Sequence, residues 1–418
     1  MTVPLLGVVD TAVIGHLKEI YFLGAIAVGG IIFNFIFWGF GFLRMGTTGL
    51  TAQAFGEQDK KKIISILYRV ELVGLVLSLL IVLFQAPLLE MSFLLIDSSE
   101  EVEKYTRVYF AIRIYSAPAT LALYGLNGWF LGMQNARFPM YITIALNLIN
   151  LGLNLFFVYG LDMNVDGVAW GSLIASYVAV VMGGVLLWRE YRSLLIRISR
   201  EVLLELSAVR KFFSVNRDIF IRTLCLIFTF SFFTAVSASL GDTTLAVNTI
   251  LLQFWTVAAY GIDGFAFSAE SLIGKFIGEK NQSKLKQAIH YTLIWGLGMG
   301  VMASLVYLLF GDSLLYVFTD NELVIEQAKE VIFWSIMAPT ISSICYIWDG
   351  IYIGATSTEA MRNSMLVATI LVFIPAYYIG NEFIGDHALW LAMTLFMLSR
   401  GAILSFLSRK HIVTEELV

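Results

Sequence analysis

Long apolar runs recur along the whole chain with short polar breaks between them, and their length decides what they are. A helix needs about 20 mostly apolar residues to cross a bilayer core of about 30 Å. Windows that qualify run over 1–17, 21–45, 63–86, 107–131, 138–160 and 165–188. A second set covers 212–240, 244–270, 286–311, 330–355, 363–380 and 386–408. Membrane barrel strands would show alternating segments of about ten residues, whereas these runs are continuous. The pattern predicts an all-α integral membrane protein with twelve transmembrane helices.

The polar breaks alternate in charge. One set carries Lys60, Lys61, Lys62, Arg137, Arg189, Arg192, Arg197, Arg200, Lys280, Lys284, Lys286, Arg362, Arg409 and Lys410. The other carries 97–104, Asp162, Asp166, Asp242, 320–330 and Asp386, with few basic residues. Basic loops face the cytoplasm, so both termini are expected there.

Short matches recur at a separation of about 222 residues. AFGE (54–57) pairs with FIGE (276–279), Ala117-Pro118 with Ala338-Pro339, NGWFLG (127–132) with DGIYIG (349–354), and TAV (11–13) with TAV (234–236). A single offset that collects four matches in order implies two homologous six-helix lobes, 1–188 and 212–418, related by a pseudo-twofold axis along the membrane normal. Residues 189–211 join them and read as a cytoplasmic amphipathic linker helix. Such a plan suits a secondary transporter that rocks around a central cavity. Gly-x-x-x-Gly at 128–132, 167–171, 296–300 and 350–354 points to close helix packing.

Composition agrees and narrows the field. Of 418 residues 58 % are hydrophobic and 14 % charged, with mean hydropathy +0.80. About 25 % charged is usual for a soluble domain, and disordered chains lack these residues. A net charge of −4 offers no basic face for nucleic acid. Cys225 and Cys345 lie in apolar runs and are expected to be free thiols. The N-terminal run has no basic flank and carries an acid, so it reads as a retained membrane segment. The chain contains no phosphate-binding G-x-x-x-x-G-K-[ST], no H-E-x-x-H, no G-x-S-x-G and no Cys/His cluster, and His16, His290, His387 and His411 are scattered. Neither an enzyme nor a metal or organic cofactor is expected, and an ion gradient is left as the energy source.

Ionisable groups are costly in the hydrocarbon layer and mark function there. Asp10 is foremost: it lies about 10 Å below the outer end of helix 1 at about 1.5 Å per residue, near the midplane, where a carboxyl is placed to load and release an ion. Pro4 of the same helix favours a hinge. On helix 5, Asn147, Asn150 and Asn154 share one stripe, which either joins helices or lines a wet cavity. Ser172 and Ser176 lie one turn apart on helix 6 and either line a cavity or satisfy their own backbone. In the second lobe Asp263, Glu270 and Asp349 could bind a proton or cation. Arg44 and Arg222 are expected to snorkel or to form ion pairs within a lobe.

VPLLGVVDTAVIGHL (3–17), FLRMGTTGLTAQAFG (42–56), NRDIFIRTLCL (216–226) and GFAFSAESLIGK (264–275) together resemble the DinF branch of the multidrug and toxic compound extrusion (MATE) transporters. The resemblance runs along nearly the whole chain. It implies a twelve-helix, two-lobe antiporter that exports small amphipathic, often cationic, compounds by rocker-switch alternating access against an inward proton or sodium flow. In that family the helix-1 acid couples ion and drug, which maps onto Asp10; the helix-5 pattern Asn-x-x-x-Asp/Asn maps onto Asn150 and Asn154. Asn154 stands where an acid could, which leaves Asp10 as the single deep acid of the first lobe and suits protons better than sodium. A sodium-coupled exporter and a flippase of lipid-linked precursors are the alternatives. The expected setting is a bacterial inner membrane, as a monomer. Family members begin helix 1 about twenty residues further upstream, so either the given chain is shortened at its front or helix 1 is short with an open inner end.

Overall fold

The computed structural model describes residues 20–96, 98–196 and 198–412. The window 1–17, with Pro4 and Asp10, lies outside them. Among the described residues there is no strand. In chain order the helices are α1 (Ile20–Gly39), α2 (Phe42–Gly56), α3 (Lys60–Leu83), α4 (Gln85–Phe93), α5 (Glu100–Arg113), α6 (Ala117–Gly132), α7 (Arg137–Leu155) and α8 (Val165–Tyr191). There follow α9 (Arg200–Leu203), α10 (Leu206–Ser239), α11 (Asp242–Gly278), α12 (Gln282–Phe318), α13 (Glu322–Gly354), α14 (Thr358–Val367), α15 (Ile374–Ile384) and α16 (His387–His411). Large apolar side chains such as Leu83, Leu309, Val317 and Phe406 stand more than 70 % exposed, which only a lipid surround accommodates.

Eleven of the twelve apolar windows fall on these helices, and ten described helices are long and apolar enough to span a membrane. While 21–45 and 63–86 are interrupted only briefly, at 40–41 and 84, the window 107–131 breaks into α5, a 3-10 turn at Ile114–Ser116, and α6. Pro118, which has no N–H and crowds the carbonyl four residues back, permits the break. A π-helical stretch, Ala368–Phe373, ahead of Pro375 has the same cause in the window 363–380. The linker differs from expectation. Among its described residues, instead of one long amphipathic helix it holds the end of α8, a 3-10 turn at Arg192–Leu194, the single turn α9 capped at Ser199 and the start of α10. Arg69 of α3 binds the last carbonyls of α9, Nε to Leu203 at 2.8 Å and Nη2 to Val202 at 2.6 Å.

The chain forms two compact units, residues 1–47 with 59–209, and 48–58 with 210–418. In the first, Trp129 of α6 donates to the carbonyl of Ile63 on α3 at 3.0 Å and packs on Phe130, and buried Phe33, Tyr109 and Phe110 form a second ring cluster. In the second, Phe233, Trp390, Phe373 and Phe396 build an aromatic core. The internal repeat is visible in the backbone. Left-handed residues recur at Gln58 and Lys280, and again at Gln134 and Thr356, while Asp59 and Asn281 cap α3 and α12 with their side chains. Close packing repeats as well. A Cβ on Gly128 would stand 2.4 Å from the carbonyl oxygen of Arg44, and one on Gly350 2.4 Å from that of Ala266.

Candidate functional site

In the first unit, the stripe on α7 meets α8. The Asn150 amide donates to Ser172 Oγ at 3.0 Å, and Asn154 donates to Asn150 Oδ1 at 3.3 Å. Ser176 returns its hydroxyl to the carbonyl of Ser172 at 2.8 Å, the back-bond open to a helical serine. Asn150 and Asn154 are fully buried and Ser172 nearly so. In this conformation the stripe joins helices rather than facing open space. Gly171 makes the approach possible, since a Cβ there would stand 2.1 Å from Asn154 Oδ1. Asn147 is half-buried on the same helix.

A cation that the apolar windows conceal completes this cluster. Arg113, the last residue of α5 before the break, reaches Ser172 Oγ with Nη1 at 3.4 Å and also donates to the Tyr109 hydroxyl. Its guanidinium packs 5.3 Å from the ring centre of Phe33. The signal for it was an arginine well inside the window 107–131. A second overlooked group corrects the reading of Asp10 as the single deep acid of this half: Glu71 sits at the middle of α3.

The second unit gathers charge of both signs. Asp349 Oδ2 accepts from Arg222 Nη2 and from Arg400 Nη2, the latter at 2.6 Å. All three residues are buried, with Cys345 beside them. Arg222 thus forms the ion pair within its lobe that was one of its two expected roles. One turn earlier on α10, Asp218 binds Arg362 Nη1 at 2.7 Å, Arg217 Nη2 at 3.1 Å and the Thr358 hydroxyl at 3.3 Å. Asp263 is half-buried on α11, within electrostatic reach of Tyr260 and Tyr346, and the Tyr346 hydroxyl accepts from Trp255 Nε1 at 3.0 Å. Glu270 is buried two turns further along α11. Cys225 and Cys345 are free thiols. Arg44 contributes its carbonyl to the Gly128 contact.

Outside the apolar spans, the exposed carboxyl of Glu90 accepts from Arg107, which Glu103 also binds. The hydrogen bond from Arg107, with its charge adding to it, holds Glu90 below the usual carboxylate value. An open groove along α8, lined by Leu173, Ile174, Tyr177, Val178 and Val181, is apolar throughout, as a lipid-facing surface requires.

Comparison with known proteins adds to this geometry. The MatE family model matches residues 1–156 and 219–379. The DNA damage-inducible protein F of Escherichia coli (strain K12) is 38 % identical over 416 residues, which covers 98 % of this chain and 89 % of that protein. The multidrug resistance protein NorM of Vibrio vulnificus (strain YJ016) is 22 % identical over 422 residues, covering 96 % and 90 %. Among solved structures, the outward-facing conformation of a multidrug resistance MATE family transporter of the MOP superfamily superposes with a TM-score of 0.87 at 17 % identity, over 98 % of this chain and 92 % of that one. At that identity the likeness speaks for the fold alone.

Proposed function

The chain belongs to the MatE family, whose members are multi-pass membrane transporters and not enzymes, and on that premise we propose that it exports amphipathic, cationic organic compounds in exchange for protons. The observation that carries the choice of ion is the Arg113 guanidinium bonded into the Asn150–Ser172 cluster. A fixed positive charge beside the amides opposes a bare sodium ion there, whereas uptake of a proton by a carboxyl elsewhere in this half needs no such cage. Asp10 is that carboxyl in this reading, on the strength of the VDTAVIGHL motif.

Deprotonated Asp10 favours binding of the cationic compound in the first half. Protonation from outside rearranges helix 1 around Pro4 and expels it. Asp263, with Tyr260 and Tyr346 near it, supports a cationic and aromatic-compatible substrate in the second half, and Glu270 is its acidic neighbour on α11. Asp349 is left out of the coupling set, since two arginines already engage it. A flippase of lipid-linked pyrophosphates would need free basic groups; Arg222 and Arg400 are committed to Asp349 instead.

The test is Asp10→Asn in drug-resistance and efflux assays. Loss of both with normal membrane insertion is expected, and full retained efflux would remove Asp10 from the coupling role.

A further inference from the structure

Glu71 stands at the middle of α3, with as much helix before it as after. Its Oε1 is buried and, among the described residues, accepts no hydrogen bond. The room it occupies is made by Gly125 of α6: a Cβ there would stand 2.5 Å from Glu71 Oε1 and 3.1 Å from Val70 Cγ1. Tyr68 lies one turn earlier on α3, the backbone of Arg44 lies against Gly128 of α6, and several other titratable groups of the neighbouring elements are engaged elsewhere. Tyr124 of α6 gives its hydroxyl to the carbonyl of Phe37, Arg69 of α3 holds Val202 and Leu203 of the linker with Glu205 near it, and Glu90 of α4 pairs with Arg107. Lys60, Lys61 and Lys62 lie in the first turn of α3, about three turns away. Tyr115, in the turn before α6, is exposed.

The second repeat shows what packing alone asks of these two positions. About 222 residues on, the counterparts of Glu71 and Gly125 are Leu293 and Ile347. Leu293 is half-buried as Glu71 is, and Ile347 is fully buried and fills the space over Gly296. The first repeat therefore holds an acid, and a glycine that houses it, where two apolar side chains serve the same helix pair. An ionised carboxylate at this depth requires donors or a counter-cation, and among the described residues no donor bonds to Oε1.

We propose that Glu71, in the crevice made by Gly125, is a proton-binding site of the first half, distinct from Asp10, whose occupancy changes during transport. In the conformation described the proton resides on the Glu71 carboxyl. It passes to water when α3 and α6 shift apart at Gly125, and water then supplies the donors the carboxylate lacks here. The transport part of this inference rests on proton coupling; the binding part does not.

Infrared spectroscopy of the purified protein in lipid tests the binding part. A carbonyl band of a protonated carboxylic acid is expected at neutral pH, lost in Glu71→Gln and in Glu71→Leu, which installs the second repeat's side chain, and kept in Asp10→Asn. Transport against pH in proteoliposomes tests the rest, with one ionisation missing from the profile of Glu71→Gln. Gly125→Ala, which crowds the carboxyl out of its crevice, is expected to shift the same ionisation. A band that persists in Glu71→Gln, or a pH profile that Glu71→Gln leaves unchanged, overturns the proposal. Because the band is read without transport, its failure is distinct from a failure of Asp10 as the coupling group.

Discussion

At Ala117-Pro118 the first half interrupts its helix, with a 3-10 turn just ahead of the proline; at Ala338-Pro339 the second half carries the same dipeptide through α13 without a break. The difference lies in the neighbours. Ahead of Pro118, Arg113 donates to Ser172 on α8 and to the Tyr109 hydroxyl and so takes part in a polar cluster. Around Pro339 the packing is close and small: a Cβ on Gly300 of α12 would stand 2.7 Å from the Pro339 carbonyl oxygen. Equivalent prolines permit a break, and the polar demand of the surroundings decides whether one appears.

The halves also differ in how they keep buried polarity satisfied. The first relies on neutral amides and hydroxyls with one arginine at their edge; the second relies on a carboxylate shared by two arginines. Removing one partner should therefore cost more in the second half. Asp349→Ala leaves two buried guanidinium groups without their anion and is expected to lower stability by about 3–5 kcal/mol, read as a large drop in Tm in detergent. A change no larger than that of an amide deletion would erase the contrast.

Asn150→Ala is the matching cut in the first half. It strands Asn154 and Ser172 but no charge, so a loss of about 1–3 kcal/mol is expected on the same Tm assay. Gly171→Ala probes that cluster from outside, because its methyl group collides with Asn154 Oδ1; overpacking of about 1–3 kcal/mol is expected. In the second half, Gly350→Ala drives a methyl group against the backbone of Ala266 and should do at least as much harm as Gly171→Ala.

The smallest effect belongs to the exposed pair Glu90–Arg107. Glu90 sits below its ordinary value in the folded protein, so the pair contributes above the unfolded carboxylate value and fades as pH falls through the folded one. Wild type and Glu90→Gln should differ slightly in Tm near neutral pH and converge in acid. A gap that widens in acid would reverse the sign.

Much of the fold was legible because membrane helices announce themselves by length and hydropathy, and the repeat because a few short motifs kept one offset. The linker was not, since its alternating charges resemble an amphipathic helix while Arg69, far off in sequence, takes the carbonyls that end α9. The candidate site was legible in its amides and missed in its charges. A window average absorbs a few ionisable residues among about twenty-five, and so Glu71, Arg113 and Arg400 passed inside runs that qualified as spans. Asn150, Asn154 and Ser172 were found because their spacing alone sets them on facing stripes; that they bond to one another required the packing of α7 on α8.

The central claim, exchange of a cationic compound for protons, is tested most directly by uptake of a fluorescent organic cation into inverted membrane vesicles, with a pH gradient or a sodium gradient imposed in turn. The account predicts uptake driven by the pH gradient alone, and collapse of that gradient when substrate is added. Uptake that follows the sodium gradient and ignores the pH gradient would contradict it.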